Sequence, residues 1–267
     1  MADARQATEG THLLNLPSGP LEVAVAGSGP PIVLLPSLGR GQEDFDIIAA
    51  PLLGAGFSLV RPEPRGIGRS APLGTGATLH DMAADVAAAM QALGIAPALA
   101  AGHAAGNWVA RMLAHDAPEL VRGVAMLAAV TGVSTPPDIT HAISSSFDPA
   151  LPETERLRYL QSAYFAPGHD ARVWLAGWHP EVARVQRAAR AATKDTAWLR
   201  AAERHPLLYM AAEQDAIAPP PSEAEVRSAL GPRAQRIVIP QAGHALLPEQ
   251  PEAVAQALIA FARTLWP

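Results

Sequence analysis

The sequence predicts an α/β protein: a mostly parallel central sheet with helices on both faces, interrupted by a helical insertion. Three observations predict it. Across residues 21–129, apolar runs of strand length alternate with stretches of helical spacing, and strands joined by crossover helices pair in parallel. From about residue 131 to residue 205 no strand-like run occurs, and the alternation resumes at 207. The 26 prolines and 21 glycines are many for a helical bundle and suit many short elements joined by turns. The expected organisation is a core of residues 1–130 and 206–267 with a helical cap at 131–205.

Taken in order, residues 21–27 alternate and end in glycine, as a strand exposed on one face does. Residues 31–35 are continuously apolar, which fits a strand buried on both faces. Residues 44–53 have helical spacing and stop at Gly54-Ala55-Gly56. A strand at 57–60 leads into a turn-rich stretch holding Pro62, Pro64, Gly66 and Gly68. The helix predicted for 78–93 has Thr78 as its cap, Asp81 in its first turn and Gly94 at its end. A buried strand at 98–101 turns at Gly102 into a helix reaching 116, and 121–129 is another buried strand. In the insertion, residues 153–165, 170–192 and 195–204 have helical character. Strands at 207–210 and 236–239 then alternate with helices at 222–230 and 251–265.

Composition narrows the function classes. With 49% hydrophobic and 17% charged residues, the 267-residue chain buries a substantial core and is not disordered. The net charge of −5 and the lack of a basic run argue against a nucleic-acid partner. The absence of cysteine excludes disulfides, thiolate nucleophiles and cysteine-ligated metals, and leaves the redox compartment open. Residues 1–6 lack an apolar signal region, and no run of about 18 apolar residues suggests a membrane span. A cytoplasmic monomer or homodimer acting on a small molecule is the expectation. His12, His80, His115, His141, His169, His179 and His205 form no metal-ligand spacing, and the glycines form no dinucleotide fingerprint, so neither metal nor cofactor is expected.

Ligands of open α/β sheets bind at the carboxyl ends of strands. Three loops there carry chemistry. Gly102-His103-Ala104-Ala105-Gly106 joins a strand to a helix with small residues where the backbone must turn sharply. With serine in the middle it would be a nucleophile elbow, G-x-S-x-G. Glu213-Gln214-Asp215 follows the strand at 207–210, and Gly243-His244 follows the strand ending at 239, with Pro248-Glu249-Gln250-Pro251 beyond. Arg65-Gly66-Ile67-Gly68-Arg69-Ser70 matches an R-G-x-G-x-S loop.

These motifs, in this order, resemble the α/β-hydrolase fold with a helical cap, over essentially the whole chain. The resemblance implies that Ala104 occupies the nucleophile position, that His244 is the general base and that Asp215 orients it. It further implies an oxyanion hole from the backbone N–H groups of Leu38 and Ala105, although Pro36-Ser37 replaces the usual His-Gly. Glu213 is the competing acid. Ala104 has two readings: an engineered Ser→Ala change, or a native alanine, since Ala105, Asn107, Pro36 and Ser37 depart from the common pattern as well. Gly-His-Ala-x-Gly-Asn resembles a divergent bacterial group with alanine at the elbow.

Ser37 and His103 flank the implied site and are candidate substrate contacts, with a turn and packing as their alternative roles. Trp174 and Trp178 are four apart on a predicted cap helix, hence on one face, where they either line an apolar pocket or pack the cap onto the core. Trp108 is four residues past Ala104 and is expected to pack near the elbow. The implied function is hydrolysis of a small, largely apolar substrate at an ester, lactone or C–C bond. The alternatives are a Ser-less, cofactor-independent enzyme using His244 for elimination, isomerisation or oxygenation, and a ligand receptor on the same scaffold.

Overall fold

The computed structural model describes residues 9–95, 97–130 and 135–266. The first four residues of the expected cap, 131–134, lie outside the described residues. In chain order the first half comprises β1 (Gly10–Leu16), β2 (Gly19–Ala26), β3 (Pro31–Leu35), α1 (Asp46–Gly54), β4 (Ser58–Pro62), α2 (Leu79–Ala92), β5 (Ala98–His103), α3 (Gly106–Asp116) and β6 (Val121–Leu127). The second half comprises α4 (Pro137–Ser146), α5 (Glu153–Tyr164), α6 (Pro180–Ala192), β7 (Leu207–Ala212), α7 (Glu223–Leu230), β8 (Ala234–Ile239), α8 (Leu246–Glu249) and α9 (Pro251–Leu265).

Among the described residues the strands form one eight-stranded sheet in the order β1-β2-β4-β3-β5-β6-β7-β8. The β1–β2 and β2–β4 pairs are antiparallel, and the pairs from β4–β3 to β7–β8 are parallel. Strand side chains alternate between two apolar layers. Val33, Leu35, Val124, Met126 and Tyr209 pack on one face with α2, α3 and α7, and Ile32, Leu34, Ala125, Leu127 and Met210 pack on the other with α1 and α9. Both faces of the sheet are therefore covered, which is why β3, β7 and residues 98–101 of β5 read as unbroken apolar runs.

Local signals set the element ends. Thr78 and Asp81 form a capping box at α2, as Ser222 and Glu225 do at α7, each satisfying amides that the first turn leaves without an intrahelical partner. Gly94 follows α2 with φ +65°.

The structure departs from expectation at several elements. β1 is a partly exposed edge strand whose sequence, GTHLLNL, lacks clean alternation. α4 carries the polar run Ser144-Ser145-Ser146, which hides its helical spacing. The expected helix at 170–192 is broken: a 3₁₀ turn at Ala171–Trp174 is separated from α6 by Gly177, at φ +79°, and by Pro180 at the helix start. Trp174 and Trp178 therefore do not share a face of one α-helix. Between β6 and β7 the described residues form helices and loops, with a third apolar cluster built around Leu160, Tyr164, Phe165 and Trp174.

Candidate active site

The elbow is shaped by what its glycines lack. A Cβ on Gly102 would overlap the backbone of Gly106 and Asn107, and one on Gly106 would overlap the carbonyl oxygens of Leu35 and Pro36. Only hydrogen fits at either position, so β5, β3 and the start of α3 come within backbone contact. Between them Ala104 takes φ +44°, a left-handed conformation that disfavours a side chain. It is held there by its amide, which donates to Leu127 O at 2.8 Å, and by its carbonyl, which accepts from the Asn107 amide at 3.1 Å and from the Asn107 side chain.

The acid and the histidine meet from two strand ends. Asp215 lies beyond β7 and His244 beyond β8, 3% and 4% exposed. His244 Nδ1 is 2.9 Å from Asp215 Oδ2 and 3.1 Å from Oδ1. Asp215 Oδ1 also accepts the amides of Ile217 at 2.9 Å and Ala218 at 2.8 Å. A carboxylate only accepts, so Nδ1 carries a proton, and in the neutral ring Nε2 is the nitrogen with the lone pair. The competitor Glu213 instead accepts from the Gln241 amide at 2.9 Å and is exposed.

Beside this pair lies a cavity of about 460 Å³. Of the expected site residues, Ser37, Leu38, Ala104, Ala105 and His244 line it, and Asp215 stands behind His244. Among the described residues no acceptor takes up the Leu38 or Ala105 amide. Trp108, Asn107, Tyr164 and Arg187 also line the cavity. Tyr164 sits edge-on to His244 with ring centroids 5.7 Å apart. Tyr164 and Arg187 escaped sequence reasoning because the insertion matches no motif; the packing of Trp108 near the elbow was legible from its spacing.

Three expected contacts are not on the cavity wall. His103 is 0% exposed, and its Nε2 donates to the His244 carbonyl at 2.8 Å. Its Nδ1 has no partner among the described residues. Burial, then the neighbouring His244, holds its imidazole down at about 3, so the ring is neutral. It packs under the histidine loop and is not in position to contact a ligand. Trp174 and Trp178 face the core loop after β3 instead of the cavity, and both rings lie within 4.9 Å of the Arg40 guanidinium. Their rings meet edge to face at 5.7 Å.

Buried polar groups tie the insertion to the core. Arg40 pairs with Asp44, whose carboxyl is pushed up by burial although Arg40 opposes the shift, and it donates to Ala176 O at 2.6 Å. The Gly39 amide donates to Gln186 Oε1 at 2.8 Å. Glu249 accepts the amides of Ala166 at 2.6 Å and Gly243 at 2.8 Å, joining the end of α5 to the histidine loop. Burial raises the Glu249 carboxyl. Arg65 and Asp85 form a further buried pair that closes the turn-rich loop after β4. Among the described residues no group of three or more His, Asp or Glu is placed to hold a metal, and no helix is long and apolar enough to cross a membrane.

An eight-stranded, mostly parallel sheet with an elbow after β5, an acid after β7 and a histidine after β8 is an α/β-hydrolase arrangement. The sequence profile described as alpha/beta hydrolase fold matches residues 30–251, and the chain belongs to that family. BpoC of Mycobacterium tuberculosis, which carries a provisional name as a non-heme bromoperoxidase, is 30% identical over 249 residues, 88% of this chain and 94% of its own. A non-heme haloperoxidase of Rhodococcus erythropolis is 27% identical over 255 residues, covering 88% and 93% of the two chains. The crystal structure of BpoC superposes with a TM-score of 0.77 at 26% identity, over 92% of this chain and 97% of its own. A thermophilic esterase from Thermogutta terrifontis shares the fold at a TM-score of 0.75 and 24% identity, over 98% and 100%.

Proposed function

We propose that this protein hydrolyses a small, largely apolar carbonyl compound, an ester, a lactone or a C–C bond, with His244 as general base, Asp215 as its orienting acid and no side-chain nucleophile at 104. The observation that carries this reading is the buried His244–Asp215 contact of 2.9 Å at a cavity whose wall includes the Ala104 methyl. Residues 131–205 act as the cap over a core of 1–130 and 206–267.

In this reaction His244 Nε2 removes a proton from a water beside Ala104, and the resulting hydroxide adds to the substrate carbonyl. The negative charge that develops on oxygen is taken up by the Leu38 and Ala105 amides, which have no acceptor of their own among the described residues. The imidazolium, stabilised by Asp215, then returns its proton to the leaving group as the tetrahedral adduct collapses. No cofactor takes part. The haloperoxidase names of two relatives support an enzyme over a receptor. The missing hydroxyl at 104 favours a second reading, in which the same base abstracts a substrate proton for elimination, isomerisation or oxygenation.

The test compares Ala104→Ser and His244→Ala on a panel of esters and lactones, with mass spectrometry for an acyl-enzyme. Direct base chemistry predicts no acyl-enzyme and no gain with serine, and loss of turnover with His244→Ala. Loss of a nucleophile from such a site lowers kcat by on the order of 10⁶-fold. A gain approaching that size with Ala104→Ser, with an acyl-enzyme, therefore marks 104 as a serine position and replaces the water mechanism by a triad. Turnover indifferent to both changes overturns the site.

A further inference from the structure

Arg187 is on the wall of the 460 Å³ cavity, and no Lys, Asp or Glu joins it there among the described residues. It extends from α6 with its guanidinium 5.7 Å from the Phe147 ring centroid. Phe147 in turn is stacked on Trp178 at 5.0 Å and 20°, and Trp178 lies under Arg40. An aromatic stack thus supports the Arg187 head from behind. Several other arginines are matched to carboxylates, Arg40 to Asp44, Arg65 to Asp85, Arg69 to Glu22 and, on the same helix, Arg184 to Glu181, while Arg190 of that helix lies over the Trp198 ring. Arg187 has neither a hydrogen bond nor an ion pair among the described residues.

A guanidinium pre-positioned on an aromatic face, with its donors unused and an otherwise uncharged wall beside it, is arranged to receive a planar anion. We propose that Arg187 binds a carboxylate of the substrate, so that the preferred substrates are small apolar carbonyl compounds bearing an acid group away from the reacting carbonyl. A carboxylate suits a single planar fork, whereas a phosphoryl group carries more charge than one arginine balances. This inference rests on the reading of the same cavity as the substrate site, but it is tested by binding alone, without turnover.

The experiment is calorimetric titration of the full chain with 4-phenylbutyrate and with its neutral analogue 4-phenylbutanamide. Because Arg187 is exposed, its charge is partly screened, and the expected preference for the acid is about tenfold. Raising salt to about 0.5 M should shrink it. Arg187→Met should erase the preference while leaving amide affinity and Tm unchanged, Arg187→Lys should retain part of it, and Arg187→Glu should invert it. Equal affinity for the two probes, a preference that survives in Arg187→Met, or failure of both to bind at millimolar concentration overturns the proposal. The His244→Ala result bears on the base and leaves this comparison unaffected, so the two readings fail separately.

Discussion

The His244 imidazole and the Asp215 carboxylate touch through Nδ1 and Oδ2 at 2.9 Å, with side chains 5% and 0% exposed. The carboxylate also organises its own loop through the Ile217 and Ala218 amides. Asp215→Asn should therefore leave the fold largely intact while allowing the wrong tautomer of His244. The expected loss in kcat is on the order of 10⁴-fold, measured on any substrate that the wild type turns over. Asp215→Ala should in addition lower stability by about 2–4 kcal/mol, since two buried amides lose their acceptor.

Glu249 is the bond between the histidine loop and the end of α5. Glu249→Ala strands the Gly243 and Ala166 amides in a buried place, and each unsatisfied donor destabilises by about 1–3 kcal/mol. Urea denaturation should show a drop of that size for each amide, and turnover should fall with it because Gly243 precedes His244. Unchanged stability would mean that water replaces both acceptors.

Glu63 gives a pH signature. Burial raises its carboxyl to about 7 from the ordinary 4.5. Between those values the folded state holds a proton that the unfolded state has released, so stability falls as pH rises through this window. Glu63→Gln keeps an acceptor for the Gln42 amide but cannot ionise. Relative to wild type, the variant should gain about 3 kcal/mol between pH 4.5 and pH 8, read from paired denaturation curves. Parallel curves would place the ionisation elsewhere.

Gly106→Ala tests the elbow. The added Cβ overlaps two backbone carbonyl oxygens of the β3 loop, which cannot swing aside as a side chain would. The expected result is loss of the cooperative thermal transition. The same change at Gly74, which has open space around it, should shift Tm little.

Trp108 lines the cavity, whereas Trp174 and Trp178 do not. Ligand-induced quenching of intrinsic fluorescence should vanish in Trp108→Phe and persist in Trp174→Phe. The opposite pattern would return Trp174 to the pocket.

The loops that carry the candidate site are legible in the sequence because strand-end loops have strict local requirements. Gly102 and Gly106 are demanded by backbone contact, and the order of elbow, Asp215 and His244 follows the order of β5, β7 and β8. The insertion was less legible. A helical period shows that an apolar face exists but not what covers it, so Trp174 and Trp178 could not be told from a pocket wall. Gly177 and Pro180 were the local signs that the helix joining them is broken.

The alternation of strands and helices is encoded locally, and so are the turn residues at the three strand ends. Those features depend on side-chain periodicity and turn chemistry within a few neighbouring residues. Long-range packing brings His244 onto Asp215, the acid the sequence already favours over Glu213, seals His103 beneath the histidine loop, and carries Arg187 and Tyr164 to the cavity. Each of these is a contact between segments far apart in the chain. Such contacts are set by how the sheet registers and how the helices pack, which no local pattern encodes.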